Sequence, residues 1–136
     1  MPYELRNHTA DVGIEATGST LSETFAALAD GMAAAMAEDV PDVGDRFEVA
    51  VVAERREALL FDYLDELIYE RDVRHVLPVD NDATVDSRGE EWSLDGSARG
   101  VPLEAVAARE VKAVTYSEMK IEETASGWRA YVVLDV

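Results

Sequence analysis

From Asp11 onward, polar and apolar residues alternate: Val12, Ile14 and Ala16 share one face, Glu15 and Thr17 the other. A period of two is that of a strand with one face buried, and Gly18 ends it. The period then changes. Leu21, Phe25, Leu28, Met32 and Met36 recur three or four apart, the spacing that keeps one side of a helix apolar. A Thr20-x-x-Glu23 capping box opens the run, so the pattern predicts a helix over residues 21–37. Gly31 within it costs about 1 kcal/mol against alanine and marks a close packing contact. Pro41 and Gly44 form a connector. Phe47, Val49, Val51 and Ala53 alternate as a second strand. Leu59, Leu60, Tyr63, Leu64, Leu67 and Ile68 then define the buried side of a second helix over 56–70, with Asp62, Asp65, Glu66 and Glu70 on its solvated side.

The remaining segments read as strands and turns. A short extended run over 3–6 leads into the polar cluster Asn7, His8, Thr9. Short strands are predicted over 73–79, 83–86 and 91–98, the last with Trp92 and Leu94 inward. Residues 101–108 read as a crossing segment with a helical turn. A long strand follows over 111–122, and Gly127 turns into a final one over 128–136. Strands grouped around two helices without strict β-α-β alternation predict an α+β fold, a mainly antiparallel β-sheet packed with two α-helices, as one domain over 1–136.

Composition narrows the chemistry. The chain of 136 residues has 12 basic and 29 acidic side chains, a formal charge of −17, and no cysteine. Disulfides, thiolate metal sites and cysteine nucleophiles are therefore excluded. No apolar run approaches the roughly 18 residues that span a bilayer, and no basic-then-apolar leader is present, so a cytoplasmic protein without membrane association is expected. So negative a field repels phosphate backbones and argues against direct, extensive nucleic-acid binding. Only Lys112 and Lys120 are lysines. Dispersed carboxylates with scarce lysine fit a halophilic surface, because molar salt shortens the Debye length to about 3 Å. An acidic face for a basic partner is compatible with the same composition. Either way an ordinary Asp or Glu says little about function, whereas a retained lysine stands out.

Four groups could carry chemistry. His8 and Asp11, three residues apart at a strand entrance, could meet around a cation or proton, or form a His–Asp hydrogen bond that fixes a turn. The acidic run Asp80, Asn81, Asp82, Asp86, Glu90, Glu91 invites comparison with an EF-hand loop. It fails, because Val85 stands where glycine is obligatory and Thr84 where Asp or Asn is needed; a solvated acidic loop is the better account. At the other extremity Asp135 and Val136 concentrate anionic oxygens, fit either for a hard cation or for a solvated, frayed end. Lys112 is either a lysine snorkelling on a sheet face or a cation held for a partner's carboxylate or phosphate. With His8 and His75 the only imidazoles, and neither a nucleophile elbow nor a Gly-rich phosphate loop, a conventional hydrolase or nucleotide-binding enzyme is disfavoured.

The segments HTADVGIEATGSTLSETFAALADGMAAAM (8–36), EALLFDYLDELIYERD (57–72), VKAVTYSEMKIE (111–122) and VVLDV (132–136) closely resemble the archease family, in the family's order and over most of the chain. The region 79–109 is the weak part. The histidine often found just before the KAVTY signature is replaced by Ala107, Ala108 and Arg109. The resemblance implies a small α+β accessory protein, itself no enzyme, that activates the tRNA-splicing RNA ligase RtcB by promoting its guanylylation and multiple turnover. It implies a metal site, most often calcium, whose matching ligands are Asp11, Asp135 and, through main-chain oxygens, Val136. Lys112 matches a residue implicated in activation, and His8 is given a supporting role. The alternative reading is a metal-binding chaperone or a helper of other RNA-modifying enzymes. If the first and last strands pair, the two distant carboxylates meet, and such a pair repels itself unless a cation sits between.

Overall fold

The structure, a computed structural model, describes residues 2–7 and 11–136. The chain runs β1 (Tyr3–Asn7), β2 (Asp11–Gly18), α1 (Leu21–Met36), β3 (Asp45–Ala53), α2 (Arg56–Arg74), β4 (Val76–Arg88), β5 (Glu91–Pro102), a 3₁₀ turn (Leu103–Ala105), β6 (Ala113–Thr124) and β7 (Gly127–Asp135). The strands form two antiparallel sheets, one ordered β1-β2-β7-β6 and the other β3-β5-β4. The α+β expectation of two helices with antiparallel strands therefore holds, with the strands divided between two sheets.

The helices lie between the sheets. α1 packs on β2, β7 and β1 from one side and on β4 from the other; α2 contacts β3 and β6. A helix enclosed on two sides needs small residues, and α1 supplies them: Ala27, Ala29, Gly31, Ala33 and Ala35 are buried along with Phe25, Leu28, Met32 and Met36. Gly31 is the close contact expected, since a Cβ there would lie 2.6 Å from the Ile14 side chain and 3.2 Å from the Tyr3 ring. The predicted cap is also present. Thr20 accepts from the Glu23 N–H at 3.1 Å, and Glu23 reaches back to the Ser19 N–H at 2.9 Å.

Two segments differ from the sequence reading. α2 continues a turn past residue 70, taking in Val73, and stops where His75 adopts left-handed geometry (φ 57°). The stretch 80–82, expected as a turn, is strand that joins the strand expected over 83–86 to Val76–Val79 as β4, with a bulge between Val79 and Asp82. It is also tied in place: Asn81 donates to Asp30 of α1 through both its backbone and side-chain nitrogens at 2.9 Å, and Arg99 pairs with Asp80 at 2.8 Å. No described helix is long and apolar enough to cross a membrane.

Candidate functional site

β2 begins at Asp11 and β7 ends at Asp135, and the two strands run antiparallel. The start of one therefore lies beside the end of the other. The register makes Asp11 and Asp135 direct Cα partners, about 4.5–5.5 Å apart by strand geometry. Directly opposed residues share a face of the sheet. Their neighbours Val12 and Leu134 point into the core, so the two carboxylates lie on the outer face, each half-buried.

The third strand continues the row. Ala113 opposes Asp135 on its other side, and the Lys112 N–H donates to the Asp135 carbonyl at 2.8 Å. The segment entering β6 is held from beneath as well. Arg71 of α2, 7% exposed, donates from Nη1 to the Val111 carbonyl at 2.9 Å and lies 3.7 Å from the Met36 sulfur. Val111 is thus fixed and buried, while Lys112 beside it is exposed. One row along the outer face, Gly13 opposes Val133, and the Tyr131 ring reaches across Gly13.

Of the residues singled out from the sequence, Asp11, Asp135, Val136 and Lys112 come together at one end of the four-stranded sheet. His8 lies outside the described residues. Arg71, Gly13 and Tyr131 are additions. Tyr131 and Asp135 stand four residues apart in the last strand, so alternation alone puts them on one face, whereas Arg71 carries no local signal in the sequence.

Two aspartates facing each other across a ladder repel, and neither has a Lys or Arg partner among the described residues. Their donors are all oxygen, which suits a hard divalent cation such as calcium. Among the described residues no group of three or more His, Cys, Asp or Glu is placed to hold a metal. A cation here would therefore draw its remaining ligands from main-chain oxygens, those of Val136 first, and from water.

A second polar cluster lies between the layers. Burial pushes the Asp30 carboxyl up, against the lowering effect of the Asn81 donors, and burial likewise pushes the nearby Tyr63 phenol well up. Among the described residues the Tyr63 hydroxyl and the Asn81 Oδ1 have no hydrogen-bond partner. Near the C-terminal end of α1, Arg109 closes the helix: its N–H donates to the Met36 carbonyl at 2.7 Å and its Nε to that of Ala35 at 2.6 Å.

The profile of the Archease protein family (MTH1598/TM1083) matches residues 3–136. Proteins named archease from Pyrococcus furiosus and Thermococcus kodakarensis are 33% and 36% identical, with 98% of each chain covered in both comparisons. The solution structure of protein 1598 from Methanobacterium thermoautotrophicum superposes with a TM-score of 0.86 at 30% identity over 99% of both chains. A crystal structure from Thermotoga maritima, described as an archease and possible chaperone, shares the fold with a TM-score of 0.63 at 22% identity, covering 96% of this chain and 94% of that one. Sequence and fold thus agree over essentially the whole chain, which belongs to the archease family.

Proposed function

We propose that this chain is an accessory protein that activates the RNA ligase RtcB in tRNA splicing, promoting its guanylylation and multiple turnover. The observation that carries the reading is the convergence of Asp11 and Asp135, with Lys112 joined to the same row by its backbone. Asp11, Asp135 and the main-chain oxygens of Val136 are the residues that would hold the cation, most naturally Ca²⁺. Once bound, it would neutralise the carboxylate pair and present positive charge to phosphate oxygens. Nucleotidyl transfer depends mainly on positioning and charge neutralisation, so a small protein can help without a complete active site of its own. Lys112 adds a cation, and the hydrogen bonds at Val111 and Asp135 hold its backbone in place.

The test is guanylylation of RtcB by GTP, with single- and multiple-turnover ligation in parallel. Asp11→Ala and Asp135→Ala are expected to abolish stimulation while the circular dichroism spectrum stays unchanged, and Lys112→Met to reduce it. Stimulation at the wild-type level by both aspartate variants refutes the proposal. So does protection of unrelated clients from aggregation without any effect on RtcB, the behaviour of a general chaperone.

A further inference from the structure

A different flank of the molecule carries its own signal. β3 is an edge strand of the three-stranded sheet, paired with β5 in unbroken register from Asp45 to Ala53. Its outward N–H and C=O groups take no partner among the described residues. Natural sheets usually blunt such edges with lysine, proline, a bulge or a covering element. The other edges here are blunted or short. On β4 the Val85 and Asn81 N–H groups donate to Ser22 and Asp30 of α1. β6 is broken by a bulge between Thr115 and Lys120, and its Tyr116 stacks on Phe61 of α2 with centroids 4.3 Å apart. β1 has only five residues. β3 has nine, with neither proline nor bulge, and its charged residues Asp45, Arg46 and Glu48 all stand in its first half, leaving Val49 to Ala53 uncharged.

The strand borders an open groove of about 410 Å³ lined by Val51, Val52, Asp62, Asp65, Glu66 and Tyr69. Val52 and Tyr69 are more than half exposed. Asp62 and Asp65 have no cation partner among the described residues. Partial burial and the neighbouring Glu70 push Glu66 up, so an incoming positive charge would relieve this wall. We propose that the β3 edge and the α2 wall together receive an extended segment of a partner protein carrying Lys or Arg at alternate positions. The backbone of such a segment completes the sheet, and every second side chain turns toward the wall. Charge selects against a second copy of this chain, because pairing β3 with β3 would bring two acidic walls and two molecules of charge −17 together.

The test uses a synthetic peptide of alternating lysine and valine, matching β3 in length, against the isotope-labelled chain at one fixed salt concentration. A control peptide of equal charge has its valines replaced by proline, which cannot donate to a ladder. Amide shifts and slowed hydrogen exchange are expected to concentrate in residues 45–53 and 62–69. The triple variant D62N/D65N/E66Q is expected to bind at least about tenfold more weakly. Equal binding of the proline peptide overturns the proposal, as do shifts scattered over the acidic surface. Concentration-dependent dimerisation that protects the β3 amides without peptide would overturn it in favour of a second copy. None of these changes touches Asp11, Asp135 or Lys112, so failure here leaves the carboxylate pair untested and failure there leaves this flank intact.

Discussion

Gly13 of β2 lies beneath the ring of Tyr131 of β7, so close that a Cβ on Gly13 would come within 2.9 Å of Cζ and 3.0 Å of Cε1. The missing side chain is what lets the tyrosine cross the outer face one row from Asp11 and Asp135. Gly13→Ala should displace the ring at a cost of about 1–3 kcal/mol. Thermal unfolding of Gly13→Ala, Tyr131→Ala and the double variant checks this. Losses that are clearly less than additive are expected, because removing the ring removes the clash.

Arg71 ties α2 to the segment that carries Lys112. Arg71→Leu keeps much of the volume but leaves the buried Val111 carbonyl without its donor, a loss of about 1–3 kcal/mol. Chemical denaturation should show that loss. Amide exchange should also quicken at Lys112, whose N–H is bonded to Asp135.

Asp30 sets a pH dependence. Burial raises its carboxyl above the ordinary range, so the folded chain binds this proton more tightly than the unfolded chain does. Its contribution therefore favours folding at low pH. It is lost as pH rises from the ordinary carboxylate range through the raised folded value, and the charged form is the costly one above that. Asp30→Asn retains an acceptor for the Asn81 N–H and should flatten this component. Urea denaturation of both proteins across the acid-to-neutral range measures the difference, which should grow in favour of the variant as pH rises.

Sequence pattern revealed most of the framework because burial imposes it. The alternation at Val12, Ile14 and Ala16 and at Trp128, Ala130, Val132 and Leu134 matches the core-facing sides of β2 and β7. Local pattern failed where distant contacts decide. Val73, Val76 and Val79 read together as strand, yet α2 runs through Val73 to Arg74 and ends only at His75 in left-handed geometry. The acidic residues 80–82 look like a turn between two short strands, yet the bulge against β5 and the Asp30 carboxylate of α1, which accepts from the Asn81 N–H, carry one strand through them. For the site, alternation gave the face on which Asp135 lies. The register that opposes it to Asp11 is a property of the assembled sheet, reached here only through the family resemblance.

We propose that Asp11 and Asp135 jointly hold a hard cation. Calorimetric titration of the chain with Ca²⁺ after chelation tests it most directly, using Asp11→Asn, Asp135→Asn and the double variant beside the unaltered chain. Each single substitution is expected to weaken binding at least about tenfold, and the double variant to show none. Calcium binding undiminished in the double variant would contradict the account.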